Sequence, residues 1–266
     1  MSAAFPEIPL TPAFYIWMAA VPIMYFGLVI LFRAMNLWEA KTRKGSRGSD
    51  IMAFLIVAGI CVTYLGIVGV IAWFELEPSW DYDTLKKDNI YGRAQFVEDH
   101  LIMPMMSYQG WNLLLCLFNN DLRDPAMIGH HLVTGSLAYF GIHPYVHYYG
   151  LFFFGFAELT NIPLTLVDMF KYFPDLKEKM PVLNEFCRIT FAVSFIIVRL
   201  IMWPYISYGF WVGALDLLRT GRAHSTFVVA VFFGANLFLT GLQFLWGSKI
   251  FGFLFKSGKK KSKKSA

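Results

Sequence analysis

Two adjacent histidines, His130 and His131, follow an Asp-Pro pair (Asp124-Pro125) by about one and a half helical turns. Imidazole is the side chain best suited to take up and return a proton near neutral pH, or to act briefly as a nucleophile. Asp124 before a proline fits a helix N-cap with proline at the first helical position. That start sets both histidines one to two turns inside the helix, and Asp124 is grouped with them as a candidate catalytic residue. Neighbouring helical residues point about 100° apart, so one imidazole is expected to face a cavity and the other to pack against or support it.

Further polar groups recur in apolar surroundings. Glu158, Asn161, Thr165 and Asp168 are spaced +3, +4, +3. At roughly 100° per residue they fall within an arc of about 80°, one polar stripe on a Phe- and Leu-rich helix. Arg199 lies in the middle of another apolar run, at a depth similar to Glu158. Neither could stay ionised alone there, so the two form a natural ion pair. Gln109, Asn112 and Asn119 share a face with Cys116, and Asn236, Thr240 and Gln243 form a further stripe. Such residues commonly only bond a neighbouring helix, at about 0.6 kcal/mol on average. Gln109, Asn112, Asn236 and Gln243 are read first in that role. Yet four polar faces exceed what helix association needs. They imply an interior cavity, with Glu158, Asn161, Asp168, Arg199, Asn112 and Asn236 expected to border a substrate. His143 and His147 flank a turn and read as interfacial; His100 and His224 stand at helix entrances and carry no assignment.

The elements that must position these groups are membrane helices. The 266 residues are 57% hydrophobic and 15% charged, against about 25% charged in a soluble domain. Crossing about 30 Å of hydrocarbon takes roughly 20 apolar residues. Runs of that order occur at 12–32, 51–74, 101–118, 126–142, 145–167, 189–212 and 225–247, the fourth being short. About seven transmembrane helices and an all-α integral membrane fold are expected. The first run reads as an anchor, not a cleaved signal, because it continues into Arg33. Seventeen of the 23 Lys and Arg fall in 33–50, 119–125, 168–188 and 248–266, and five in 75–100 and 213–224. This bias puts the C-terminal tail in the cytosol and the N-terminus across the membrane. The tail ends Lys263-Lys264-Ser265-Ala266, a dilysine pattern of the kind coatomer reads as a retrieval signal to the endoplasmic reticulum. The same lysines also attract anionic headgroups. No nucleic-acid partner is expected.

Several reaction classes fail. Six histidines with one adjacent pair do not make the histidine boxes of a membrane di-iron enzyme. Cys61, Cys116 and Cys187 show neither CxxC nor zinc spacing, and no metal site is expected. The seventh run lacks a lysine for a retinal Schiff base. Walker-type loops and GxSxG are absent, and no internal repeat suggests a transporter. Acyl transfer from a thioester survives. A histidine would act as base or transient nucleophile, the fatty chain would lie between helices, and coenzyme A phosphates would meet the basic cytosolic side. No bound cofactor is expected; acyl-CoA is the co-substrate of this reading.

The run Asp124…His130-His131, followed some 27 residues later by F-A-E-L-T-N-I-P-L at 156–164, resembles the TLC-domain family over roughly 45–250. That family includes ceramide synthases, translocating-chain-associating membrane proteins and the neuronal ceroid lipofuscinosis protein of the endoplasmic reticulum. The resemblance implies a six-helix barrel around a cytosol-facing cavity, a first helix outside it, and a role in lipid homeostasis. In ceramide synthases the His pair belongs to the acyl-transfer site, which would give that role to His130 and His131. Their longer motif continues with an Arg and an H-D-x-x-D run. Residues 132–157 contain no Asp and no Arg, and Glu158, Asn161 and Asp168 would partly replace those acids. The chain is closer to the branch outside the ceramide synthases. Three units follow: 1–44, 45–250 and the basic tail 251–266. Two functions fit, an acyl-CoA-dependent lipid acyltransferase, or a non-enzymatic lipid-binding, sensing or trafficking factor using the same cavity.

Overall fold

The computed structural model describes residues 11–42, 44–75, 94–142, 146–223 and 225–262, with side chains to 252. His143, His224, most of the 75–100 segment and the 263–264 dilysine lie outside the described residues. Seven long helices cover the described chain: α1 (Pro12–Ala34), α2 (Gly48–Glu75), α3 (Gln95–Phe118), α4 (Pro125–Gly141), α5 (His147–Tyr172), α6 (Pro181–Thr220) and α7 (Thr226–Ser262). Six are long and apolar enough to cross a membrane. The 17-residue α4 is the short one. This is an all-α integral membrane protein.

Helix packing follows one circuit. α2 packs on α3, α3 on α4, α4 on α7, α7 on α6, α6 on α5, and α5 returns to α2. The expected six-helix ring is therefore closed. α1 stands outside it against α2 and α3, presenting Val21, Tyr25, Val29 and Phe32 at helical spacing. Ser107 Oγ donates to the Trp17 carbonyl at 2.6 Å and ties α3 to this outer helix.

Three boundaries differ from the hydropathy reading. α3 begins at Gln95, not near 101, because Glu98, Asp99 and His100 belong to its first turns. α6 runs from Pro181 to Thr220, 40 residues, or about 60 Å at 1.5 Å per residue. It extends past the 189–212 apolar run at both ends, where polar residues hid its continuation. α7 continues to Ser262 through the lysine tail.

Prolines shape the ring. Pro104, Pro163 and Pro204 each lack the N–H that would bond the carbonyl four residues earlier. Those earlier residues, His100, Leu159 and Leu200, all sit in irregular turns: π-helical at Glu98–Ile102, 3-10 at Phe156–Thr160, and π-helical at Ile196–Met202. A freed carbonyl lets a turn widen or tighten, and such turns re-aim side chains. Glu158 and Arg199 lie on two of the three.

α2 and α5 approach closely at Gly69 and Gly155. A Cβ on Gly69 would stand 2.3 Å from the Gly155 backbone, and one on Gly155 2.6 Å from Gly69 Cα. Gly69→Ala should therefore force the helices apart and cost about 1–3 kcal/mol, as overpacking does. A Cβ on Gly234 meets nothing within 4 Å, so Gly234→Ala should leave stability unchanged or raise it. Thermal unfolding of both variants in detergent checks the contrast; equal melting temperatures would show that the backbones are not in contact.

Candidate functional site

All six ring helices line a cavity of about 570 Å³ at the end of the bundle that carries the basic connections. Its volume lies in the range of ligand pockets, about 300–1,000 Å³. Its rim includes Lys44, Arg123, Lys171 and Lys249; deeper in are Tyr108, Asn112, Asn161, Asp168 and Gln243. His130, His131 and Arg199 also line it. A second chamber of about 30 Å³ shares His130 and Arg199 with the first. Phe153, Phe154, Phe210, Phe232, Leu137 and Leu239 make it apolar, while Glu158 and Asn236 complete its polar side. That volume holds one or two waters. Every residue expected to contribute to the site thus borders one chamber or the other.

Both histidines line the outer cavity, contrary to the expectation that only one would face it. The facing stripe of α4 runs through Met127, His130, Thr134 and Leu137, and the cavity is wide enough for His131, on the edge of that stripe, to reach it too. The rings stand 5.4 Å apart at 62°, and His130 meets Trp246 at 5.6 Å. His131 Nδ1 lies 2.5 Å from Gln109 Oε1. Gln109 thus bonds a neighbouring helix as expected, and its partner there is one of the two site histidines; four residues earlier on α3, Met105 takes the other end of the amide, Gln109 Nε2 donating to Met105 Sδ at 3.2 Å.

The expected Glu158–Arg199 pair is present. Arg199 Nη2 donates to Glu158 Oε1 at 3.2 Å, with the two side chains 5% and 4% exposed. Arg199 Nε donates to Thr160 Oγ1 at 3.1 Å, and Asn161 Nδ2 to Glu158 Oε2 at 2.7 Å. The guanidinium also lies 5.4 Å from the Trp203 ring centre. The polar stripe of α5 is split, however. Asn161, Thr165 and Asp168 face the outer chamber from regular helix, whereas Glu158, on the 3-10 turn, faces the inner one.

Other residues hold the scaffold. Asp124 Oδ1 accepts from the Ala126 and Met127 amides at 2.9 and 3.1 Å, so the carboxylate at the rim serves as the α4 N-cap. Asp168 meets Lys171 at 3.5 Å. Asn236 accepts from Trp211 Nε1 at 2.8 Å. His147, beside the turn, is fully buried by its neighbours. Its Nδ1 accepts from the Ala94 amide at 3.0 Å, and its Nε2 faces the Gly141 carbonyl at 2.7 Å. It therefore joins α3, α4 and α5 at the end away from the basic rim. Both amide atoms of Gln243, His130 Nδ1 and Thr134 Oγ1 are buried without partners among the described residues.

A loop braces the mouth. Lys41 and Arg47 bridge a turn in which Gly45 takes φ +92°, a conformation that favours glycine. Thr42 Oγ1 and the Ser46 amide then donate to Asp121 Oδ2 at 2.5 and 3.3 Å, and Ser46 Oγ donates to Asn119 Oδ1 at 2.8 Å. Burial pushes the Asp121 carboxyl up, but the bonds from Ser46 and Thr42 and the charge of Lys44 outweigh it and hold it below its ordinary value.

A closed ring of six helices around a cavity bordered by a His pair defines the class: an all-α integral membrane protein with an interior polar site. The chain belongs to the TLC-domain family, whose model matches residues 49–252. No curated protein and no solved structure matches it.

Removing one member of the buried ion pair strands the other, so Arg199→Leu or Glu158→Leu should each destabilise by about 3–5 kcal/mol. The double substitution should lose much less than the sum. Denaturant unfolding in mixed micelles would read this, and simple additivity would show the charges are uncoupled. At the mouth, the depressed Asp121 carboxyl contributes stability that is complete above the ordinary aspartate range and lost as pH falls below about 4. Hydrogen exchange of residues 41–47 should accelerate on that descent, and Asp121→Asn should flatten the dependence; an unchanged profile in the variant would assign it to another group.

Proposed function

We propose that this TLC-domain protein acts in membrane lipid homeostasis as an acyl-CoA-dependent lipid acyltransferase. One observation carries the reading: His130, with His131 beside it in the outer chamber, stands where a wide polar chamber with cationic side chains at its mouth meets a narrow chamber lined by phenylalanines. A thioester of a fatty acid has the matching halves. Its phosphates suit the lysines and arginines of the mouth, its chain suits the Phe-lined end, and its reacting carbonyl falls between them. A histidine there serves as general base for a lipid hydroxyl or amine. In this reading the basic end faces the cytosol, where acyl-CoA is dissolved. The lysine tail then holds the protein in the endoplasmic reticulum through coatomer.

The second reading, a lipid-binding or sensing factor, is favoured by the inner chamber. It is too small for a chain unless its phenylalanines turn aside, and such a rearrangement suits a ligand-driven change of state. One experiment separates the two. Purified protein in lipid nanodiscs is incubated with palmitoyl-CoA and analysed by lipid and intact-protein mass spectrometry. Wild type should form an acylated lipid or acyl-protein, His131→Ala should lower the yield at least about 100-fold, and the His130→Ala/His131→Ala double variant should form none. A bound lipid retained in all three with no thioester consumed would remove the enzyme and leave the factor.

A further inference from the structure

We propose that Gln109 is a positioning residue for His131: it holds the imidazole as the Nδ1–H tautomer, which makes Nε2 the proton-accepting atom of the site. The consequence for rate rests on the acyltransferase reading; the tautomer does not.

The argument runs along one chain of contacts from α3 to α4. Met105 and Gln109 are one turn apart on α3 and 0% and 1% exposed. Gln109 Nε2 donates to Met105 Sδ at 3.2 Å, which orients the amide. With the amide turned over, its oxygen would face the thioether and its NH₂ would face the ring. In the observed orientation Oε1 faces His131 Nδ1 at 2.5 Å. A carbonyl oxygen can only accept, so Nδ1 must carry the hydrogen. A neutral imidazole then has its lone pair on Nε2. Among the described residues Nε2 makes no hydrogen bond, and the ring borders the outer cavity. His130 differs, because its own Nδ1 is buried with no partner to select a tautomer.

The resulting proton path balances. A substrate O–H or N–H gives its proton to Nε2 as its heteroatom bonds to the acyl carbon. The C–S bond breaks, and the departing thiolate takes that same proton from Nε2 to leave as a thiol. The Nδ1 proton stays on the ring throughout, donated to Gln109 Oε1. Gln109 thus stands to His131 as an orienting acceptor stands to the base of a hydrolytic triad, with a neutral amide in place of a carboxylate.

The test uses the full chain, labelled with ¹⁵N-histidine, in lipid bilayers. Solid-state NMR distinguishes protonated from unprotonated ring nitrogens, and the difference spectrum against His131→Asn assigns His131. Wild type should show Nδ1 protonated and Nε2 bare. Gln109→Leu should abolish that preference. Gln109→Glu, which keeps an acceptor and adds charge, should restore it and move the His131 titration up by one pH unit or more. In the palmitoyl-CoA assay Gln109→Leu should lower kcat about 100-fold with little change in KM, and Gln109→Glu should recover most of the rate with the acid limb moved to higher pH. A bare Nδ1 in wild type, or a tautomer indifferent to Gln109→Leu, would overturn the proposal. A wild type that turns over no thioester would instead sink the acyltransferase reading, and the spectra alone would then decide this one.

Discussion

An arginine and a glutamate facing one another within an apolar bundle constrain everything packed around them. In hydrocarbon an isolated charge costs several kcal/mol, so Glu158 and Arg199 are tolerable only while α5 and α6 keep them 3.2 Å apart. Thr160, Asn161 and the Trp203 ring occupy the remaining faces of the pair. Each of these contacts comes from the same two helices, so the pair fixes both their separation and their rotation. It also lies beside the junction of the two chambers, through Arg199 on one side and Glu158 on the other. The shape of the cavity is therefore a consequence of where two charges must meet.

The irregular turns follow from that requirement. On uninterrupted helices the direction of Glu158 is set by its α-helical phase, which would align it with Asn161, Thr165 and Asp168. Pro163 frees the Leu159 carbonyl and Pro204 the Leu200 carbonyl, and the turns holding Glu158 and Arg199 depart from α geometry. The carboxylate is thereby directed into the inner chamber while its three companions stay in the outer one. Close approach of α2 and α5 at Gly69 and Gly155, one residue before the 3-10 turn, keeps the same stretch pressed against the ring.

Much of this was legible in the residues because each signal was local. Asp124-Pro125 specifies a helix start within four residues, and Asp124 caps α4. An Arg and a Glu at equal depth in two apolar runs have few alternatives to pairing. Other features depended on information that spacing does not hold. The role of Gln109 needed the register of α3 against α4, which hydropathy does not give. His147 stands beside a proline turn, and tertiary packing gives its two nitrogens backbone partners from two other segments. The polar ends of α3 and α6 read as loops because an apolar window stops at the first charge, whereas a helix stops only where its backbone bonds fail.

The two chambers also differ in what they can do with water. The outer one is roomy and lined by amides, carboxylates and the His pair, so it is wet when empty. The inner one holds one or two waters at most, and the phenylalanines around it gain nothing from hydrating it. A ligand with a polar head and a hydrocarbon end therefore has one favourable direction of entry, with the chain leading. Its chain must displace aromatic rings that already pack on one another, Phe153 lying 4.7 Å from Trp203 and 6.3 Å from Tyr149. That opening cost falls on every ligand alike, but only a long flexible chain recovers it, at about 0.8 kcal/mol for each methylene buried. Short amphiphiles then remain in the outer chamber. In the proposed acyltransferase a long chain would reach past Glu158 and Arg199 and set its first polar group level with His130, which borders both chambers.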